Sequence, residues 1–255
     1  MCVMTRLPPP LATRWLGRVW RHLASCVSTS DEARAWAEQG APSGAVVTAD
    51  HQTGGRGQKG RVWHAPVSVA EEVNNLYYSV VLRPPWSLHE APPLTLGVGV
   101  ALCDVVRRWE PRAELKWPND ILVDGKKLAG VLTEARASGS QLAYAIVGIG
   151  CNLGEQEFAE EIAERATYLD AERASFAAAL CESLEARYEQ LAMGQCSAIL
   201  ADWRALSSVF GTMVRVTTAQ GTITGRADHL ALDGALVVID EHGEPRTIVS
   251  GELYL

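Results

Sequence analysis

None of the six cysteines (Cys2, Cys26, Cys103, Cys151, Cys181 and Cys196) lies at C-x-x-C spacing from another. That excludes a zinc ribbon and a dithiol redox motif, and with no secretory signal the thiols are expected to be reduced, in a cytoplasmic protein. The chain has no surplus of positive charge either: 23 Lys and Arg against 30 Asp and Glu leave a net −7. A bulk surface built to hold nucleic acid is thereby excluded, although a local basic site is not. Long apolar runs are missing as well. The longest uncharged stretch, Ala137 to Gly154, carries Ser138, Gly139, Ser140, Gln141 and Asn152, so no membrane span is expected. Acids are absent before Asp31 while Arg6, Arg14, Arg18 and Arg21 are present, a superficial likeness to a transit peptide. The Pro8-Pro9-Pro10 run breaks any continuous helix there, and no apolar signal core exists. What is present is ordinary globular composition, 47% hydrophobic and 21% charged, over 255 residues. That length holds one large domain, or a domain plus an appendage.

Residues 1–17 are expected to form a loose leader. Val19 to Val27 is ambiguous: Trp15, Leu16, Val19, Trp20 and Leu23 fit a helical stripe, yet the β-branched ending suits a strand. Thr29 and Glu32 have capping-box spacing ahead of the apolar face Ala33, Trp36 and Ala37, and Gly40 is placed to stop that helix. Strands are expected over Ala45 to Asp50 and Leu76 to Leu82. Leu94, Val98, Ala101, Leu102, Val105, Val106 and Trp109 mark one side of a helix. Hairpins follow, with strands Glu114–Trp117, Ile121–Val123, Lys127–Glu134 and Gln141–Ile149 and turns at Asp124-Gly125 and Ser138-Gly139. Consecutive hairpins mean an antiparallel or mixed sheet packed with helices, an α+β fold rather than a doubly wound one. Phe176, Leu180, Leu184, Tyr188 and Leu191 define a second long helix, and Ile199 to Leu206 a shorter one. Beyond Ser207 the texture is all-β: Met213–Thr217, Thr222–Ala227, Ala235–Ile239 and Thr247–Val249 predict a small barrel over 207–255.

Four segments carry candidate chemistry. Residues 54–61, Gly54-Gly55-Arg56-Gly57-Gln58-Lys59-Gly60-Arg61, hold four glycines and three cations with no acid. Glycines permit close approach to a ligand, and arginine forks meet carboxylate or phosphate, so the loop reads as an anion nest. It fits neither a Walker A loop nor a dinucleotide fingerprint, because Arg61, Val62 and Trp63 stand where those need Lys, Ser/Thr or a helix start. Lys116-Trp117-Pro118-Asn119-Asp120 ends a strand in a rigid turn bearing three polar groups. Lys127 starts a strand running into apolar Leu128–Leu132, and Gly148-Ile149-Gly150-Cys151-Asn152 closes the next one. Taken singly, the first reads better as a plain strand and turn and the second as a solvated hairpin lysine, while the third has an ordinary strand exit as its alternative. Cys151 has no neighbouring His to activate it, and His51 and His64 lack metal-ligand spacing.

In this order the segments resemble one family. Ser28-Thr29-Ser30, Gln52 with the glycine loop and Trp63, Asn75-Leu76-Tyr77-Tyr78-Ser79, Lys116 to Asp120, Lys127-Leu128-Ala129-Gly130 and Gly148 to Asn152 are similar to the biotin–protein ligases. The likeness runs from about Gly17 to the C-terminus. It implies a class II aminoacyl-tRNA-synthetase-like catalytic domain over 18–206, with a strand over Val19–Val27, and an SH3-like barrel over 207–255. It implies the monofunctional type, because seventeen preceding residues are too few for a DNA-binding module, so no DNA role is expected.

The resemblance further implies ATP as co-substrate with Mg²⁺, biotin as substrate, and a biotin carboxyl carrier protein as acceptor, in a monomer or homodimer. Lys127 and Arg56 would be catalytic. Ser28, Thr29, Ser30, Gln52, Arg56, Gly57, Gln58, Lys127 and Gly130 would hold biotin, and Arg61, Trp63, Lys116, Asn119 and Asn152 the nucleotide. It names no metal ligands. The chain departs from the family pattern at Gln58, where a basic residue is frequent, at Ser30, where Asn is frequent, and in a lengthened stretch over Val69 to Asn74. The rival expectations are a lipoate or octanoate ligase or transferase, and a biotin sensor without turnover.

Overall fold

A computed structural model describes residues 8–63, 75–87 and 91–254. His64 and the stretch 69–74 lie outside the described residues. A seven-stranded sheet forms from β1 (Trp20–Cys26), β2 (Val46–Gln52), β3 (Leu76–Leu82), β4 (Glu114–Lys116), β5 (Asp120–Val123), β6 (Lys126–Ser138) and β7 (Gln141–Cys151). Its order is β1-β2-β3-β7-β6-β5-β4. Only β1 and β2 run parallel, and the crossover this requires is supplied by α1 (Thr29–Glu38). The other pairs are antiparallel, so the expected mixed sheet is present. Asp124 and Gly125 take φ of +50° and +77°, as a two-residue hairpin turn demands.

Four further helices are α2 (Pro93–Val106), the single turn α3 (Glu160–Ala163), α4 (Arg173–Ala192) and α5 (Cys196–Ala205). The periodicity of α2 predicts one apolar side, yet Leu96, Val100 and Cys103 are buried too. The helix is enclosed by β4, β5 and β6 on one side and by α4 and α5 on the other. Glycine makes that enclosure possible: a Cβ on Gly97 would stand 2.8 Å from Leu191 Cδ1, and one on Gly99 3.2 Å from Leu115 Cδ2.

Two local expectations are corrected. The capping box does not form: Ser28 is the extended N-cap residue with no side-chain capping bond, and Thr29 is already helical. The Thr29 hydroxyl turns to Gln52 and Ser79, partners that local spacing cannot reveal. The leader is also not loose over its described part. The Glu185 carboxylate on α4 accepts the backbone N–H groups of Arg14, Trp15 and Leu16 at 2.8–3.0 Å, and Leu16 enters the core. Burial works against the Glu185 charge, but those backbone donors and the Arg14 guanidinium outweigh it and hold the carboxyl below its usual range. Glu185→Gln, which cannot reproduce a two-oxygen anionic acceptor, is expected to lower stability by about 2–3 kcal/mol near neutrality. Because the folded pKa is lowered, the contribution is present above the unfolded carboxyl value of about 4.3 and is lost as pH falls through the folded one. Denaturant titrations of both proteins check this; a gap that stays constant into strong acid would refute it.

The C-terminal strands β8 (Met213–Thr218), β9 (Gly221–Leu230), β10 (Leu236–Asp240), β11 (Pro245–Ile248) and β12 (Glu252–Tyr254) form an antiparallel sheet in the order β11-β10-β9-β8-β12. The expected barrel is not closed, since edge strands β11 and β12 do not pair with each other. Strand β12 is too short to show a pattern in sequence. The link from α5 into this sheet is fastened to β4, where Leu206 O accepts from Leu115 N–H at 2.8 Å and Ser207 Oγ donates to Leu115 O at 2.6 Å. Just beyond β4, Trp117 Nε1 donates to Gly234 O of the β9–β10 turn at 3.2 Å.

Candidate active site

The start of α1, the end of β2 with the loop after it, and the centre of the β6–β7 hairpin converge on one pocket. Its polar end comes from α1 and β2. Thr29 donates through its backbone N–H (2.7 Å) and hydroxyl (3.0 Å) to Gln52 Oε1. Behind them, fully buried Ser79 on β3 lies 2.9 Å from Thr29 Oγ1 and 3.1 Å from Ser30 Oγ. Ser28 lines the same end.

The loop over 54–63 is closed on itself. Gly57 N–H donates to Arg61 O (2.7 Å), Trp63 N–H to Gly55 O (2.9 Å), and Arg56 pairs with Val62. Gly54 N–H donates back to Val27 O at the end of β1. Four of the loop's backbone donors, the N–H groups of Gly54, Gly57, Arg61 and Trp63, are spent within the fold, which narrows the expected nest to the remaining ones. The loop also presents side chains to the pocket, those of Arg56, Gln58, Arg61 and Trp63. Gly60, at φ +74°, makes its reversal possible.

Those side chains are held by carboxylates. Arg56 Nη2 meets Asp31 Oδ1 at 2.7 Å and Glu134 Oε2 at 3.2 Å. Arg34 meets the same two carboxylates at 2.9 and 2.8 Å, so four charges alternate in a ring at the pocket mouth. Arg61 Nη1 reaches Glu252 Oε1 on β12 at 3.0 Å and so ties the loop to the second sheet. Both members of that pair are well exposed, which limits its worth to about 1 kcal/mol or less.

The cationic wall is built on β6 and β7. Lys127 Nζ lies 2.7 Å from Asp120 Oδ1 and 5.5 Å from the Trp63 ring centroid. The Trp63 indole rests on the hairpin because glycine leaves room for it. A Cβ on Gly150 would stand 2.7 Å from its Cε2, and one on Gly130 3.3 Å from its Cζ3. Among the described residues, Trp63 Nε1 is buried without a hydrogen-bond partner. Gly57, Gln58 and Asn119 also line the pocket.

Twelve of the fourteen expected site residues therefore line this pocket: Ser28, Thr29, Ser30, Gln52, Arg56, Gly57, Gln58, Arg61, Trp63, Asn119, Lys127 and Gly130. Lys116 and Asn152 do not. Lys116 Nζ sits 6.0 Å from the Tyr254 ring centroid, a ring it shares with Arg215. Asn152 Nδ2 donates to Thr167 O, and its N–H donates to Leu128 O, fastening the strand end instead. Asn119 lines the pocket with one of its two amide N–H groups given to Val131 O. Cys151 is fully buried, and desolvation pushes its thiol far up, which leaves no thiolate for catalysis. Sequence reasoning missed Ser79, Asp120, Asp31, Arg34, Glu134 and Glu252 as site residues. Ser79 and Asp120 stand inside recognised segments, whereas the others carried no local signal.

Among the described residues, no group of three or more His, Cys, Asp or Glu side chains is placed to hold a metal, and no helix is long and apolar enough to cross a membrane. Residues 23–152 match the biotin/lipoate A/B protein ligase family and residues 209–255 the biotin protein ligase C-terminal domain. The chain is 34% identical to the biotin–[acetyl-CoA-carboxylase] ligase of Mycobacterium tuberculosis, over 97% of each protein. It is 35% identical to a bifunctional ligase/repressor of Bacillus spizizenii over 85% of this chain and 68% of that protein. Among solved structures, biotin protein ligase from Aquifex aeolicus in complex with biotin and ATP superposes with a TM-score of 0.77 at 27% identity, covering 93% of this chain and 98% of that one. With one pocket joining a hydroxyl–amide end to a lysine–arginine wall, and these matches spanning both sheets, the chain belongs to the biotin/lipoate A/B protein ligase family.

Proposed function

We propose that this protein is an ATP-dependent biotin–protein ligase. In the first step a biotin carboxylate oxygen attacks the α-phosphorus of ATP, giving biotinyl-5′-AMP and pyrophosphate. In the second, the ε-amine of a lysine on a carboxyl carrier protein attacks the acyl carbon and AMP leaves. The carrier is of the acetyl-CoA carboxylase type, the substrate named for the relative from Mycobacterium tuberculosis. Mg²⁺ enters with the nucleotide as part of the substrate.

One observation carries this reading: a single pocket is lined by Lys127, the Arg56 loop and the Thr29–Gln52 cradle. Two anions must be brought together, and fixed cations offset their repulsion and the charge that builds on the phosphorus. Lys127 bridges carboxylate and α-phosphate, and Arg56 with Arg61 supports the phosphates. Ser28, Thr29, Ser30 and Gln52 take the ureido end of biotin, with Gly57, Gln58 and Gly130 allowing backbone approach. Trp63 packs against the nucleotide, with Asn119 beside it. Lys116 supplies positive potential from outside the lining. Catalysis resides in residues 18–206, and residues 207–255 contribute Glu252 to the loop.

The test is pyrophosphate release with Mg-ATP and biotin, lipoate, octanoate or no acid, followed by addition of a carrier domain. Biotin-dependent release and then a carrier mass gain are expected. Release only with lipoate or octanoate, or tight biotin binding without release, would overturn the assignment.

A further inference from the structure

The hydroxyls at the closed end of the pocket form a chain whose direction follows from counting protons. Gln52 Oε1 accepts the Thr29 backbone N–H at 2.7 Å, which fixes the amide with its oxygen toward α1 and its NH₂ free. The Thr29 hydroxyl gives its one proton to that same oxygen. Ser79, 2.9 Å from Thr29 Oγ1, must then donate to it, and Ser30, 3.1 Å from Ser79 Oγ, must donate to Ser79. All three protons therefore point inward along Ser30, Ser79, Thr29 and Gln52. Toward the cavity remain the lone pairs of Ser30 and Thr29 and the Gln52 NH₂. Ser79 is not part of the pocket lining and is fully buried. Gly148 leaves the space the chain needs, since a Cβ there would stand 2.5 Å from Ser30 Oγ.

We propose that Ser79 is a positioning residue that sets the polarity of this site, so that it takes a ligand end offering N–H donors to the hydroxyls and a carbonyl acceptor to Gln52. This rests on the ligase reading above and deepens it: a ureido ring meets both demands, whereas an aliphatic or dithiolane end meets neither. Without the Ser79 hydroxyl, the Ser30 proton loses its acceptor and is free to turn into the cavity, where it opposes a ligand N–H.

Ser79→Ala is expected to raise KM for biotin about tenfold in the pyrophosphate assay, the scale of one misdirected buried hydrogen bond. Its kcat and KM for ATP stay within about twofold. The decisive comparison uses biotin methylated on one or the other ureido nitrogen, which has lost a donor. Wild type should discriminate against at least one methylated form, and Ser79→Ala should lose most of that discrimination. Equal losses for biotin and both methylated forms would show a merely structural role and overturn the inference, as would an unchanged KM for biotin. Should Ser79→Ala not fold, Ser79→Cys keeps the volume with a weak donor, and its discrimination should fall between the two. A wild type that turns over only lipoate or octanoate overturns the ligase reading itself, and the inference with it. That arm separates the two failures.

Discussion

Lys127→Ala should release pyrophosphate from biotin and ATP about 10²–10³-fold more slowly than wild type, while unfolding at nearly the same temperature. The amine stands at the pocket wall between Asp120 Oδ1 and the Trp63 face, where the proposed reaction brings carboxylate and phosphate together. Its side chain is 39% exposed, so truncation opens no cavity in the core. Its partner Asp120 keeps contact with water and needs no large rearrangement. Lys127→Arg is not expected to restore the rate. The amine already approaches the Gly130 backbone closely, with a Cβ there lying only 3.2 Å from Nζ, and a planar guanidinium is wider. Single-turnover pyrophosphate release on folded protein measures both variants. Wild-type release from Lys127→Ala would remove this residue from the mechanism.

Arg56→Ala is expected to slow the same step by about 10²-fold and to let more biotinyl-adenylate escape into solution. One guanidinium nitrogen, Nη2, is held by Asp31 and Glu134, one on α1 and one on β6. The remaining N–H groups of the fork stay available for an anion in the pocket. A lysine has a single nitrogen and cannot serve the carboxylates and the ligand together, so Arg56→Lys should recover little of the loss. Arg34 still spans both carboxylates in the variant, which keeps the pocket mouth from carrying two unpaired charges. Free adenylate, trapped and quantified without carrier, reports retention. Normal retention together with a normal rate in Arg56→Ala would dismiss the proposed role.

Local signals announced most of the secondary structure. Strand β3 falls where Leu76 to Leu82 predicts it, and the Asp124-Gly125 turn is set by residues that tolerate positive φ. The stretch over Val19–Val27 had two readings by pattern, and the family likeness, with its strand, agrees with β1 over Trp20–Cys26. Patterns failed where an element is short or doubly covered. β12 spans only three residues, and α2 hides its polar-face periodicity because packing surrounds it. The open C-terminal sheet depends on whether β11 and β12 meet, and neither strand states that alone.

Residue types and their spacing already limited which chemistries were within reach. Cations without acids over residues 54–61, amide and hydroxyl groups at 28–30 and 52, and glycines at 130, 148 and 150 had to be spent somewhere. Which of these groups meet is settled by the fold. Arg34 and Glu134 lie 100 positions apart, and Thr29 and Ser79 lie 50 apart. Their contact follows from the α1 crossover and from the register of β3 and β6 on β7. Register comes from the packing of whole faces, so it assigns a carboxylate to Arg56 and a hydroxyl to Thr29 without leaving any local mark near either residue.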